Sequence, residues 1–265
     1  MTAPKIAVVT GGSSGIGLAA VRALVRRGCR VYELSRREAG PDCALHLRAD
    51  VTDEASVQAA VAEVLEREGR VDILVCCAGY GISGAVEFTT SEDAHRQMEV
   101  NFFGVVNACR AVLPAMRRQR GGRIVCISSV AAVVPIPFQT YYSVSKAAIN
   151  AFCLALQSEV RPFGIRVCAV MPGDIHTGFT AARVKSCAGD ELYGGRISRG
   201  VAVMEKDEQN GMSPERAGEA VARTALARSP RMLGAIGAQY QAVHALTKVL
   251  PYSLVSSIVG KIYGK

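Results

Sequence analysis

Two residues four positions apart, Tyr142 and Lys146, have the side chains that acid–base chemistry at a carbonyl requires. In a helix this spacing puts both side chains on one face, so they can enter one site. A phenol with its ordinary pKa of about 10 exchanges protons poorly near neutrality, and a nearby ammonium lowers that pKa. Lowering the pKa to about 7 requires that the phenolate be stabilised over the phenol by roughly 4 kcal/mol. The alternative is that the two residues simply share an ordinary helix face. Tyr141 is not the expected partner of Lys146, because it lies five positions away.

A glycine-rich segment, residues 10–17, follows the first apolar run of the chain and precedes a helical pattern. Its spacing is G-x-x-x-G-x-G, which differs from the common dinucleotide motif G-x-G-x-x-G. Glycines still permit a tight turn and close approach of the backbone to a pyrophosphate, which the helix N-terminus attracts. An ordinary strand-to-helix turn is the alternative. The residues expected to contact the dinucleotide are Gly11, Ser13, Ser14, Gly15, Ile16 and Gly17.

The segment after the second predicted strand indicates which dinucleotide is bound. An acid at this point would accept from the ribose 2′-hydroxyl of NAD, but the chain has Ser35 followed by Arg36. An arginine can hold the 2′-phosphate of NADP, and a charge-assisted hydrogen bond contributes about 1.5–3 kcal/mol, or roughly tenfold to a hundredfold. We therefore predict NADP(H), contacted by Ser35 and Arg36. A solvated turn at Arg36 and Arg37 is the alternative, and Glu33 and Glu38 weigh against NADP.

Asp50 and Val51 follow the third predicted strand. The aspartate can accept from an adenine amino group, so both residues are predicted to contact the cofactor. The alternative is that Asp50 belongs to the turn that leads to a helix cap at Thr52.

Apolar runs rich in β-branched residues alternate with longer helical patterns. This alternation indicates βαβ crossovers and a parallel sheet that is covered on both faces. We predict an α/β fold, a single doubly wound Rossmann domain spanning residues 1–265. The candidate strands are 5–10, 30–35, 44–48, 71–77, 122–128 and 165–171, and the candidate helices are 15–28, 53–68, 92–119, 141–163 and 214–228.

Two segments depart from this alternation. Residues 172–213 are long, polar and rich in glycine, and they follow the sixth strand at the edge of the sheet where open α/β sheets bind ligands. We predict a substrate lid there. Residues 238–265 alternate apolar and basic residues and are predicted to form a C-terminal helical extension, which can pack on the domain, on another subunit or on a membrane surface.

Composition excludes several classes of protein. The net charge of +8 is spread along the chain rather than concentrated with aromatic residues, so nucleic acid is not an expected partner. No apolar run is long enough to span a membrane, and the first strand is too short to be a signal sequence. The nine scattered cysteines form no C-x-x-C pair and lie at no ligand spacing to the four histidines. We therefore expect reduced thiols, no metal and a cytoplasmic protein.

These motifs together resemble the short-chain dehydrogenase/reductase family, in the correct order over about residues 5–230. The resemblance implies interconversion of a carbonyl and an alcohol by hydride transfer. In this family the catalytic serine lies thirteen residues before the tyrosine, which selects Ser129 over Ser128. By resemblance Ser129 positions the substrate oxygen, Tyr142 is the acid and base, and Lys146 binds the ribose and tunes Tyr142. Asn101 matches the asparagine whose backbone supports a water-borne proton relay.

The resemblance also assigns further cofactor contacts and an assembly. Residues 172–177 are similar to the segment that binds the nicotinamide amide, and the family commonly forms homodimers or homotetramers through the helices predicted at 92–119 and 141–163. One departure is Cys77, where the family has an asparagine that supports the sheet, and this puts loop geometry or stability in doubt. The contacts implied are Ala78, Gly79, Tyr142, Lys146, Pro172, Gly173, Ile175 and Thr177.

The loop between the serine and the tyrosine, residues 130–139, indicates the kind of substrate. It is almost entirely apolar and carries no charge, whereas a sugar or an anion would need donors or cations. Its sequence also resembles that of hydroxysteroid and retinol dehydrogenases. We therefore predict that the substrate is a steroid-like or other lipophilic ketone, aldehyde or alcohol. The residues predicted to contact it are Ser129, Val134, Phe138 and Tyr142. The alternative is that the loop packs under the lid. Three lid cations could meet a carboxylate tail: Arg183, Lys185 and Arg196.

Two other functions remain open from the sequence. The C-terminal extension and the lid cations suit a membrane-surface lipid reductase that acts on an acyl-dihydroxyacetone phosphate or a 3-keto lipid. The same fold could also serve as an NADP-binding regulator without turnover, because folds are reused. The set of Asn101, Ser129, Tyr142 and Lys146 argues against that regulator, which would need no acid–base tyrosine.

Overall fold

The strands form where the apolar runs lie. The computed structural model describes residues 3–264. In chain order the strands are β1 (Ile6–Thr10), β2 (Arg30–Ser35), β3 (Leu45–Arg48), β4 (Ile73–Cys76), β5 (Ile82–Ser83), β6 (Gly122–Ile127), β7 (Ile165–Met171), β8 (Val184–Lys185) and β9 (Leu233–Ala235). Seven of them build one parallel sheet in the order β3-β2-β1-β4-β6-β7-β9, and β5 pairs with β8 separately. The predicted α/β fold with a parallel sheet is confirmed.

Helices cover both faces of this sheet. They are α1 (Gly15–Arg26), α2 (Glu54–Glu68), α3 (Ser91–Met98), α4 (Gly104–Gln119), α5 (Thr140–Val160), α6 (Phe179–Ala182), α7 (Arg196–Gln209), α8 (Pro214–Leu226), α9 (Ala238–Leu246) and α10 (Tyr252–Tyr263). Because successive strand residues point to opposite faces, Val8 of β1 packs toward α2, α4 and α5, while its neighbours Ala7 and Val9 pack toward α1 and α8. The sheet core is therefore buried on both sides.

The region predicted as one helix over 92–119 is interrupted. A π-helical turn, Glu99–Phe103, separates α3 from α4, and the amide of Gly104 bonds to the carbonyl of Glu99 across it. A π turn inserts one residue into the helix and is frequent at functional sites. Apolar periodicity cannot show this insertion, because the pattern continues on either side. The predicted helix was therefore wrong in its continuity, and the turn contains Asn101.

The last third of the chain contains four further helices besides α8, in the predicted lid and the predicted C-terminal extension. The segment predicted as a lid contains α6, β8 and α7, and the C-terminal extension is a pair of helices, α9 and α10. The sheet also gains β9, a three-residue strand that pairs with β7. A strand this short shows no periodicity that a sequence pattern could reveal.

Three cysteines from separate elements meet in the core. The sulfur atoms of Cys76, Cys109 and Cys126, on β4, α4 and β6, lie within 4.8 Å of one another. Hydrogen bonding to Cys109 and burial raise the pKa of Cys76 well above its ordinary value. Hydrogen bonding to Cys126 and burial do the same for the pKa of Cys109. The thiols therefore remain protonated and pack as small side chains. Packing brings them together, which sequence spacing could not show.

Among residues 3–264, every helix is too short or too polar to cross a bilayer.

Candidate active site

A cavity of about 1300 Å³ opens at the carboxyl ends of the parallel strands. It begins beside β1 and β4, where the strand order reverses and open α/β sheets bind their ligands. Every residue that the sequence predicted as a cofactor contact lines it, as do Ser129 and Val134. The backbone topology thus collects side chains from across the chain at one edge.

The glycine-rich turn leaves the start of α1 open to a ligand. Ser14 is the N-cap residue in extended conformation, but its side chain caps no amide. In contrast, Asp53 and Thr90 accept hydrogen bonds at the starts of α2 and α3. A Cβ on Gly17 would lie 2.1 Å from the carbonyl oxygen of Gly11, so the turn closes only with glycine there. Free amides at a helix N-terminus fit the pyrophosphate of a dinucleotide.

Three guanidinium groups, those of Arg36, Arg37 and Arg96, line the end of the cavity next to this turn. The two acids that weighed against NADP lie elsewhere. Glu33 is fully buried and bonds His46 at 2.6 Å, and Glu38 forms an ion pair with Arg48. Neither acid lines the cavity. This end, formed by residues 11–17, 34–37 and 49–51, is called the cofactor end.

Asp50 forms the turn that was the alternative to a cofactor contact, and it also lines the cavity. Its Oδ1 accepts from both the amide and the hydroxyl of Thr52. Burial acts to raise the pKa of Asp50, but the Thr52 hydrogen bonds and Arg36 bring it below its ordinary value. An ionised Asp50 can still accept from an adenine amino group at its remaining oxygen.

Helix α5 places Tyr142 and Lys146 on one face, as their spacing predicted, and both line the cavity. The Lys146 ammonium lies 5.6 Å from the centroid of the Tyr142 ring. Its Nζ donates to the carbonyl of Ile127 at 2.9 Å, at the end of β6. Lys146 is therefore fixed between the sheet and the tyrosine.

The protein's own groups set the pKa of Tyr142 differently from the sequence argument. Burial raises the pKa of Tyr142 to about 12, while a hydrogen bond with Ser129 and the charge of Arg183 act to lower it. Glu208 and Asp174 act in the same direction as burial. The expectation that Lys146 lowers this pKa is thus not met within the protein, because desolvation dominates. Tyr142 is held as a protonated phenol, which suits a proton donor.

Burial also lowers the pKa of Lys146 to about 8, against the raising effect of Cys77 and Cys126. The ammonium is therefore present below pH 8 and lost above it. If Lys146 binds the ribose, NADPH affinity falls as the pH rises through about 8, which fluorescence titration between pH 6.5 and 9.5 measures. Lys146→Met removes this dependence. A wild-type affinity that stays constant over the range would contradict the assignment.

The two serines at the end of β6 have separate roles. Ser128 is buried and donates to the carbonyl of Lys146 at 2.9 Å, so it fixes α5 on the sheet. The Ser129 hydroxyl accepts from the amide of Ala131 at 3.1 Å and donates to the carbonyl of Pro172 at 3.5 Å, and it acts to lower the pKa of Tyr142. Ser129 lines the cavity near Tyr142, and its role next to the reacting oxygen stays a prediction.

Asn101 lies behind the cavity rather than in its wall. Its side chain accepts from the amide of Tyr80 and donates to the carbonyl of Tyr80, both at 3.0 Å. It also donates to Ser145 at 3.1 Å. These bonds join the π turn to the loop after β4 and to α5, so Asn101 positions the segment that carries Tyr142 and Lys146.

The loop after β7, residues 172–177, closes the cavity over the site. A Cβ on Gly173 would lie 2.1 Å from the Tyr240 ring of α9, so only glycine allows this packing. Tyr240 donates to the Asp174 carboxylate and accepts from its amide at 3.1 Å.

On the opposite wall, the amide of Cys77 donates to the carbonyl of Thr10 at 3.1 Å and continues the β1–β4 ladder. The cysteine therefore leaves the strand geometry intact.

Phe138 does not line the cavity, in contrast to the prediction that it contacts the substrate. It is buried against Ile197, Val201 and Met204 of α7, so it packs under the lid.

The lid cations are also placed differently. Arg183 and Lys185 form ion pairs with Glu208 and Glu205, and Arg196 donates to the carbonyl of Gly264. None of the three lines the cavity, because each is used to hold the lid together.

The sequence analysis did not predict the end of the cavity that lies opposite the cofactor end, beyond Tyr142. Two carboxylates, Asp174 and Glu208, line it close to Tyr142. The α9–α10 pair supplies a wall that is mostly apolar, and its residues come from a segment whose packing the sequence left open. The wall residues are Tyr240, Val243, Leu246, Thr247, Leu250, Val255, Ile258, Val259, Ile262 and Tyr263.

Comparison with known proteins agrees with this geometry. A model of the family "short chain dehydrogenase" matches residues 5–188. A 3-ketodihydrosphingosine reductase of Bacteroides thetaiotaomicron is 41% identical over 248 residues, which cover 92% of each chain. The crystal structure of a short-chain dehydrogenase from Streptomyces avermitilis superposes with a TM-score of 0.83 at 31% identity, over 94% of each chain.

A second solved structure is a complex with a nucleotide. It is an alcohol dehydrogenase from the archaeon Thermococcus sibiricus complexed with 5-hydroxy-NADP, and it superposes with a TM-score of 0.73 at 26% identity, covering 89% of this chain and 97% of the other. The fold, the residues matched and the order of the motifs lead to one conclusion. This chain is an oxidoreductase that belongs to the short-chain dehydrogenase/reductase family.

Proposed function

We propose that the protein is an NADP(H)-dependent reductase of long-chain ketones and that a 3-keto lipid is its substrate. The observation that carries the proposal is the apolar wall that α9 and α10 add to the cavity beyond Tyr142. An apolar wall binds a hydrocarbon chain by removing its surface from water. The 41% identity with a 3-ketodihydrosphingosine reductase, over nearly the whole of both chains, supports the same substrate class over a steroid.

The choice of NADP(H) is supported by charge at the cofactor end. Arg36, Arg37 and Arg96 line it, and the nearby acids Glu33 and Glu38 are turned away into other contacts. A 2′-phosphate would gain from these cations, because charge-assisted hydrogen bonds are roughly twice as strong as neutral ones. Gly11 to Gly17 would hold the pyrophosphate, Lys146 the ribose, and residues 172–177 the nicotinamide.

The carboxylates beside the apolar wall favour a substrate with a cationic head. Burial raises the pKa of Asp174 above its ordinary value, and the charges of Asp207 and Glu208 add to this effect. A substrate ammonium would relieve this repulsion, whereas a phosphate would increase it. A long-chain 2-amino ketone, the class to which 3-ketodihydrosphingosine belongs, therefore fits better than an acyl-dihydroxyacetone phosphate.

The chain's own residues would divide the reaction between them. A bound nicotinamide supplies or accepts the hydride. Ser129 would hold the carbonyl oxygen by a hydrogen bond, and Tyr142 would give that oxygen a proton as it becomes the alcohol. Lys146 would orient the ribose, and the lid and α9 would exclude water from the reacting atoms. A protein that only bound the nucleotide would need neither the buried phenol nor its serine partner.

Absorbance of NADPH, and separately of NADH, tests this function against a panel of ketones. We expect NADPH to be oxidised with long-chain 3-ketones at a kcat/KM at least about tenfold above that with keto-steroids, acyl-dihydroxyacetone phosphate and small polar ketones, because only the long chains fill the apolar wall. Preference for a steroid or for the phosphate would overturn the substrate proposal.

The cofactor part is checked in the same assay. Because Arg36 is exposed and its charge is screened, Arg36→Ser is expected to raise the KM for NADPH by about tenfold and to leave that for NADH unchanged. Arg22→Ser is the matched control, since Arg22 is also exposed but lies outside the cavity. Equal KM values for both cofactors in the wild type would contradict the NADP assignment.

Assembly and location are part of the proposal. Val144 and Leu154 of α5 and Phe103 beside α4 are large apolar side chains exposed to solvent, which supports a homodimer or homotetramer through these helices. All nine cysteines carry free thiols, which supports a reducing cytoplasm.

A further inference from the structure

The α9–α10 pair has an unusual distribution of charge. Residues 238–264 contain two lysines, Lys248 and Lys261, and no aspartate or glutamate. Both lysines are exposed. In a chain with 23 acidic residues, a stretch this long without a negative charge means that the two helices themselves contribute only positive charge to their surface. Such a surface attracts anionic partners.

The same segment exposes large apolar side chains. At the turn between the helices, Val249 and Tyr252 are 77% and 83% exposed, and the surface continues along both helices. The other members, each about half exposed, are Leu246, Leu254, Ile258 and Ile262. Soluble proteins rarely leave so many large apolar side chains contiguous and uncovered, and such patches mark interaction sites. We name these six residues, with Lys248 and Lys261, the C-terminal patch.

The C-terminal patch is continuous with the wall of the cavity. Leu246, Ile258 and Ile262 belong to both, since each lines the cavity and is also about half exposed. A hydrocarbon chain could therefore move from outside the protein into the cavity along apolar side chains and avoid crossing water. A partner that supplies hydrocarbon chains at its own surface is a lipid bilayer.

We propose that the C-terminal patch docks the protein on the surface of an anionic lipid bilayer. The apolar members enter the boundary between headgroups and acyl chains, and Lys248 and Lys261 contact the anionic headgroups. A second copy of the chain is a poorer occupant, because a two-fold contact would bring together two segments that each carry lysines and no acid of their own. This docking goes beyond the proposed reaction, and the choice of a bilayer as the partner rests in part on the long-chain substrate proposed above.

Sedimentation with vesicles tests the docking directly. Full-length protein is mixed with vesicles of phosphatidylcholine containing 30% phosphatidylglycerol, and separately with pure phosphatidylcholine, at about 0.1 M salt. We expect binding to the anionic vesicles that weakens as salt rises. The double variant Val249→Glu/Tyr252→Glu should bind at least about tenfold more weakly, because two carboxylates replace the most exposed apolar side chains.

Lys5→Glu is the matched control. It changes the net charge by the same two units, but Lys5 is exposed just before β1, at the opposite edge of the sheet from the cavity. Lys5→Glu should bind the vesicles as the wild type does. NADPH binding reports that the double variant is folded, since neither Val249 nor Tyr252 lines the cavity.

Three results would overturn the proposal. One is a wild type that stays in the supernatant with anionic vesicles. Another is equal loss of binding in the double variant and in Lys5→Glu, which would mean general charge attraction. The third is a molar mass by light scattering that is lower in the double variant than in the wild type, which would assign the C-terminal patch to self-association. Because no substrate is used, these results are independent of the ketone assay.

Discussion

Replacement of Tyr142 by phenylalanine is expected to lower kcat for ketone reduction by about 10²- to 10⁴-fold, the range that general acid–base catalysis contributes. The physical reason is that phenylalanine keeps the ring in the buried pocket of α5 but has no proton to give the forming alkoxide. Initial rates of NADPH oxidation with a long-chain ketone measure this. NADPH affinity should change by less than about threefold, because Lys146 and the glycine-rich turn are untouched.

The chain offers a matched control at the next position. Tyr141→Phe removes the same hydroxyl from the same helix, but Tyr141 does not line the cavity. It should retain kcat within about twofold. If Tyr141→Phe and Tyr142→Phe lose activity equally, or if Tyr142→Phe stays active, then Tyr142 is not the proton donor and the spacing argument fails.

Asp174→Asn is expected to lower kcat/KM for a long-chain 2-amino-3-ketone by about a hundredfold. In the wild type the substrate ammonium would pair with the half-buried Asp174 carboxylate, and the substitution removes this charge-assisted hydrogen bond. Such a bond contributes up to about 3 kcal/mol when solvent screening is weak. Asparagine keeps the shape and can still accept from Tyr240, so the loop over the cavity should be retained. The same long-chain ketone without the amine should lose less than about threefold.

Asp207→Asn separates this contact from a general change of charge. Asp207 carries the same charge on the neighbouring helix α7, but it accepts from Tyr263 at 3.1 Å and does not line the cavity. Its replacement should leave both substrates nearly unaffected. If Asp174→Asn slows both ketones alike, then Asp174 shapes the loop and does not recognise the amine. The long-chain substrate and the NADP assignment would stand even in that case.

The sequence predicted the sheet and the cofactor end well because the signals there are local. The central strands β1, β4 and β7 are nearly continuous apolar runs, and a parallel strand buried on both faces needs no other pattern. The glycine-rich turn, Arg36 and the Tyr142–Lys146 pair act through neighbours a few positions away, so their spacing alone predicts their geometry. Conversely, the break at Asn101 left no trace, because a π turn inserts a residue without changing composition.

The sequence by itself determined the fold class and the family, and it predicted which residues contact a nucleotide, since these conclusions rest on short local motifs in a fixed order along the chain. Only the tertiary structure decided where long-range partners lie. Phe138 packs under α7, Glu33 is withdrawn to His46, and Asp174 faces the cavity from beneath Tyr240. The same holds for the apolar wall, because an amphipathic segment such as α9 and α10 can pack on several surfaces. The packing of the rest of the chain selects among them, and no periodicity records that choice.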